Sequence, residues 1–445
     1  MTDNNIIELT PFRADLTRAL ARRGERLLAS SELTDEVAAL EPLEAYYIIR
    51  EIGLEQALPI LLALSPEQLE ACVDLDCWSR YDFAVDSLDE WLTAFSLAGP
   101  EALARAFFSL DYVVQLLFLA QTVTVYDPDT DEIAQEDEES PLRAMTPDGF
   151  YLLQVKTELT LKIHPFTVLD ALYQYDLRAS HQLLSDVRVD LPTQIEEEAL
   201  RFRNDRMQDI GFVPLDEAAV LFSPPDLRQP VSRPQRPVDS ALVRLPSVYA
   251  GSFIETSLLH KALSLITDQQ FLTRLEQEII WVINSAIIIY GEKTQEIKQI
   301  TDIAGRVRDT ICLGLESLLN KECPDCRLTE AEAAGQALAL LEKWYISDLF
   351  RHGFAAARSI QQEARKALTE PLFRAWYELA VVDQSDESSD RLARAFVAAL
   401  LGHQPLHSGY DPALPEEVRA FTGLADLAAA QARLHGIVAH ICHQS

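Results

Sequence analysis

Two cysteines three positions apart, Cys323 and Cys326 in the run Cys-Pro-Asp-Cys, are the residues whose spacing points most directly to chemistry. Thiolates at this spacing hold half of a tetrahedral zinc site, or act as a redox pair where a helix start depresses one pKa. A complete zinc site needs two further ligands. The cluster near the C-terminus, His435, His440, Cys442 and His443, supplies candidates, so the expected metal set is Cys323, Cys326, His440 and His443. Read plainly, Cys323-Pro324-Asp325-Cys326 makes a turn between helices. The redox version follows a strand in a βαβ unit, which this stretch does not show.

An acidic run, YDPDTDEIAQEDEE at 126–139, is the second candidate. Asp127, Asp129, Asp131 and Glu138 stand at positions 1, 3, 5 and 12 of an EF-hand-like count, a set of oxygen ligands for calcium. Against that, Glu132 takes the place where the sharp turn needs glycine, and a solvated charged loop accounts for the run without an ion.

The third candidate is TQIEEEALRFRNDRMQDIGFVPLDEAAVLF, residues 193–222. Thr193 and Glu196 have the T-x-x-E spacing of a capping box, and Glu196, Glu197 and Glu198 suit the positive end of a helix dipole. Glu197, Arg201, Arg203 and Arg206 form a candidate functional or junction helix. They read either as an anion or acid/base site, or as a lattice of i,i+4 ion pairs such as Glu197 with Arg201. Gly211 is expected to end the helix in a left-handed conformation, with Pro214 preventing its resumption.

Asp348, Arg351 and His352 are the fourth set. Asp348 and His352 lie one turn apart, and two cations before Gly353 suggest the capped C-terminus of a helix. The sequence contains no G-x-S-x-G, H-E-x-x-H, Walker A or dinucleotide glycine pattern.

The elements that must position these residues read as helices. Glu41-Pro42, Ser65-Pro66 and Gly99-Pro100 each place proline at the first helical position with an acid in the first turn. Apolar residues recur at helical spacing through 11–122, an irregular array with Trp78 and Trp91 pinning neighbouring helices. Val123, Val125, Phe150, Leu152 and Val155 predict a small β hairpin near 122–156. Ile297, Ile300, Ala304, Val307, Ile311, Leu315 and Leu318 form one apolar stripe on a helix over 294–319. Trp344 and Trp376 are expected as core anchors. The fold expected is mainly α: a solenoid-like helical-array domain with a β hairpin over 1–222, a proline-rich linker over 223–246, and a C-terminal helical domain over 247–445. The linker carries Pro224, Pro225, Pro230, Pro234, Pro237 and Pro246, with Arg228, Arg233, Arg236 and Arg244 among them.

Composition limits the function classes. Lys and Arg number 38 against 70 Asp and Glu, a net charge of −32 over 445 residues, which repels nucleic-acid phosphates and anionic lipid. Only 15 glycines leave little material for phosphate-cradling loops. The N-terminus shows no basic and apolar leader pattern, and six cysteines without a framework spacing suit a reducing cytoplasm. A cytoplasmic protein is expected, without nucleic-acid or membrane binding.

Several stretches together carry a resemblance: EAYYIIREIGLEQALPILLALSPEQLEACVDL within 43–75, ALYQYDLRASHQLL at 171–184, EEEALRFRNDRMQDIGF at 196–212, LGLESL at 313–318 and DLFRHGF at 348–354. They resemble an uncharacterised bacterial family of about this length, known only as a domain of unknown function. The resemblance implies a long helical protein and no activity. With no catalytic signature, the expected function is non-enzymatic, a scaffold or interaction protein with a protein partner. The alternative is an enzyme or metal-dependent regulator using the Cys323 and Cys326 turn or an interdomain cleft.

Overall fold

The computed structural model describes residues 20–79, 81–131, 142–157, 160–224, 249, 257–290, 297–324, 328–378, 389–409 and 417–443. The chain is mainly α with small antiparallel sheets, as expected. It divides into two compact units, residues 1–214 with 291–299, and residues 215–290 with 300–445.

The first unit contains α1 (Leu33–Ala38), α2 (Pro42–Ile52), α3 (Leu58–Ala63), α4 (Pro66–Asp76), α5 (Val85–Ser96), α6 (Pro100–Phe108) and α7 (Tyr112–Thr122). These are followed by α8 (Pro165–Tyr175), α9 (Leu177–Val189) and α10 (Pro192–Asp209). The three proline starts behave as expected: Pro42, Pro66 and Pro100 each open a helix. Ser65 and Gln68 add a reciprocal capping box, Ser65 Oγ accepting from the Gln68 N–H and Gln68 Oε1 from the Ser65 N–H. Buried Trp91 donates its indole N–H to Asp76 at 2.7 Å, tying α5 to α4.

A two-residue pair, β1 (Trp78–Ser79) with β2 (Asp82–Phe83), follows α4. The β excursion is larger than a hairpin. β3 (Val123–Tyr126) and β5 (Leu152–Val155) pair antiparallel with Val123 opposite Val155, and β4 (Arg143–Met145) adds to the other edge of β5. The third strand escapes a pattern search because Arg143–Met145 has only three residues and no alternation.

The second unit contains α11 (Leu215–Val220), α12 (Leu258–Leu263), α13 (Gln269–Tyr290), α14 (Ile297–Glu322), α15 (Glu330–Lys343), α16 (Ile346–Ala367), α17 (Pro371–Glu378), α18 (Ser389–Leu401) and α19 (Leu424–His443). A short ladder joins β6 (His407–Ser408) to β7 (Val418–Arg419). The apolar stripe of α14 is buried at Ile300, Ala304, Val307, Ile311, Leu315 and Leu318. Trp376 sits in a core with Phe373, Phe396, Phe421 and Leu434, whereas Trp344 is half-buried and meets His352 edge-on at 5.2 Å.

Gly353 corrects the expected helix end. It lies in the middle of α16, which continues to Ala367. A Cβ there would come within 1.9 Å of the Thr310 carbonyl oxygen, and one at Gly314 would come as near to that of Leu349. Two glycines therefore let the backbones of α14 and α16 approach, and Gly353 is retained for contact rather than for termination.

Among the described residues no single helix is long and apolar enough to cross a membrane. The apolar pair α6 and α7 is bent by 118° and largely buried.

Candidate functional site

Helix α10 carries the four charged residues singled out from sequence, and the structure sends them in two directions. The helix begins at Pro192 rather than at Thr193, with Leu191 as N-cap and no side-chain cap. Proline at N1 sets the N-cap at Leu191, two residues before Thr193, and places Thr193 inside the first turn, so the expected capping box does not form. The other end is as expected. Gly211 has φ +86°, and the Phe212 N–H donates to the Met207 carbonyl at 2.8 Å, the long bond of a Schellman stop.

Arg203 and Arg206 turn inward. Arg206 forks onto Asp74 of α4, with Nε at 2.7 Å from Oδ2 and Nη2 at 3.0 Å from Oδ1, while its Nη1 reaches Asp111 at 2.9 Å. Asp111 is also the N-cap of α7, so one guanidinium fastens α10 to α4 and α7 together. Arg203 donates to the Asp74 carbonyl at 3.1 Å and lies over the Trp78 ring. Burial pushes the Asp74 carboxyl up, opposed by the bonds from Arg206. Burial works against the charge on Arg206, but Asp74 outweighs it and raises the guanidinium pKa.

Glu197 and Arg201 face outward, and the expected i,i+4 pair between them is absent from the ion pairs of the described residues. Arg201 instead lies over the neighbouring Phe202 ring at 4.9 Å. Both residues line a cleft of about 530 Å³ with Glu198, Gln194 and Ile195 of α10, Val113 and Leu116 of α7, and Asp190. The apolar members are buried and the charged ones open to solvent. Three carboxylates against one guanidinium give the rim a net negative charge. Beside Asp190 the turn between α9 and α10 exposes two aliphatic side chains, Val189 at 72% and Leu191 at 60%. Nothing in the sequence patterns announces this cleft, since it joins residues 113–116 to residues 190–201.

The other sequence candidates resolve differently. In the acidic run the described part ends at Asp131, and Glu138 lies outside it. Arg188 of α9 donates to Asp131 at 3.1 Å and to Thr130 at 2.9 Å, and the Asp127 N–H donates to Asp131 at 2.8 Å. A guanidinium thus supplies the positive charge at these carboxylates. Of the proposed metal set, Cys326 and the side chain of His443 lie outside the described residues. Cys323 is disulfide-bonded and His440 is exposed. Among the described residues no group of three or more potential ligands is placed to hold a metal.

Arg351 pairs with Asp348 at 3.7 Å and donates to the Pro224 carbonyl at 2.6 Å, holding the first residues of the proline-rich segment. His352 is buried, with no hydrogen-bond partner for Nε2 among the described residues. Burial together with Lys321 and Arg351 pushes its pKa down to about 4.

A family model described as a family of unknown function, DUF6178, matches residues 5–441. No curated protein and no solved structure matches the chain.

Proposed function

Because the chain belongs to DUF6178, a family of unknown function, its role must be read from its own geometry, and we propose that it is a non-enzymatic interaction protein. On this reading the cleft between α7 and α10 receives a basic segment of a protein partner. The observation that carries it is the composition of the cleft: an apolar floor of Val113, Leu116 and Ile195 under a rim of Asp190, Glu197 and Glu198. An aliphatic side chain on the floor would release water from apolar surface, while Lys or Arg side chains meet the rim carboxylates. Exposed Val189 and Leu191 extend the apolar contact beyond the cleft. The inward anchoring of Arg203 and Arg206 keeps α10 in place, so the outer face is presented without a folding cost on binding.

A photo-crosslinking side chain at Gln194 tests the proposal, with one at exposed Glu101 as control. The reading expects a reproducible adduct with a basic protein from position 194 alone, lost when Glu198→Lys is added. The same adducts from both positions would overturn it.

A further inference from the structure

A second cavity in the first unit, about 390 Å³, lies where the end of α2 meets α5 and is lined by Arg50, Gly53, Glu55, Glu90, Thr93 and Lys162. Its construction differs from that of a solvated surface hollow. Arg50 stands in the last turn of α2, which ends at Gly53 with φ +91°. Beneath it lies Asp76, only 3% exposed, which accepts from Tyr46 Oη at 2.9 Å, Trp91 Nε1 at 2.7 Å and Arg50 Nη1 at 3.3 Å. A buried carboxylate fixed by a phenol and an indole is a rigid mount, and it holds the guanidinium at the cavity wall. That is how cationic binding groups are preorganised.

The remaining charges limit what fits. Lys162 is paired with Glu90 at 2.8 Å, and Glu55 adds one negative charge to the wall. Among the described residues Arg50 donates only to Asp76, and it keeps a planar donor fork for more. Thr93 lines the cavity, but its Oγ1 is shielded from solvent and takes no part in the wall's donor set. With two acids on the wall, a singly charged group is accommodated better than a doubly charged phosphate.

We propose that this cavity binds a small molecule through a carboxylate that pairs with Arg50. The volume is at the lower end of the range for ligand pockets and suits a compact metabolite rather than a cofactor. Gly53, carrying no side chain, leaves the lip of the site open.

The test is titration of the full chain by calorimetry and thermal shift. The probes are aliphatic and amino-substituted carboxylates of two to six carbons, their uncharged amides, and inorganic phosphate. The expected result is saturable binding of at least one carboxylate, with its amide weaker by about tenfold or more. Glu55→Gln, which removes one negative charge from the wall, should strengthen that binding by roughly threefold. Arg50→Gln should abolish it. No carboxylate binding at about 10 mM, a limit far weaker than typical metabolite affinities, would overturn the proposal. So would tighter binding of phosphate, or carboxylate affinity unchanged in Glu55→Gln and Arg50→Gln.

Discussion

The four charged residues of α10 divide into two structural and two solvent-facing members, and substitutions should separate them. Removing Arg206 leaves Asp74 buried without its bidentate partner, so Arg206→Ala should lower unfolding stability by about 3 kcal/mol in a urea titration. Arg201→Ala, on an exposed side chain with no ion pair in the described residues, should change it by less than about 0.5 kcal/mol. Similar costs for the two would contradict the division. The sequence shows these four residues within one ten-residue stretch but not their directions, because the groups that sort them, Asp74 and Asp111, lie about a hundred residues upstream. Asp74 and Asp76 flanking Leu75 in an apolar helix are a legible hint of buried carboxylates that periodicity alone passes over.

A second residue-scale consequence is pH dependence. The pKa of His352 falls from the usual 6.5 to about 4 on folding, because burial and two nearby cations disfavour its charge. Between pH 6.5 and 4 the unfolded chain binds a proton that the folded chain does not, so stability falls as pH falls through this window. Below about pH 4 both states carry the proton and this loss stops growing. His407, pushed down by burial first of all, adds in the same direction. The variant His352→Phe should reduce the drop in melting temperature between pH 7 and pH 4.5; an unchanged drop would contradict the assignment.

At the scale of elements, the helix starts were legible where one residue dominates the backbone. Proline at N1 is such a residue, and it also explains why the T-x-x-E pattern after Pro192 misplaces a boundary. Glycine is legible as a stop only when no other element needs its missing side chain. Gly211 acts as a stop, whereas Gly353 and Gly314 permit a close backbone crossing that sequence spacing does not reveal. Either Gly314→Ala or Gly353→Ala forces a methyl into a carbonyl of the facing helix and should destabilise the protein by about 2–4 kcal/mol, read by denaturation. Gly335→Ala, where nothing lies within 4 Å, should be neutral or slightly stabilising. A small effect at Gly314 would argue against the close crossing of α14 and α16.

At the scale of the molecule, composition and periodicity identify a mainly α chain of high negative charge, and the family match covers nearly all of it. The two cavities were not legible, because each is assembled from segments dozens of residues apart. The proposed interaction function rests on the cleft between α7 and α10, and one titration addresses it most directly. A fluorescent peptide with a leucine followed by three arginines is titrated with the full chain at about 150 mM salt, where the Debye length of ~8 Å suppresses long-range attraction to the net charge. Glu197→Gln with Glu198→Gln is compared with Glu101→Gln plus Glu36→Gln, an equal charge change outside the cleft. The account predicts affinity weakened by about tenfold or more in the first double variant and within about twofold of the parent in the second. Equal loss in both, or none in the first, would contradict a docking site between α7 and α10.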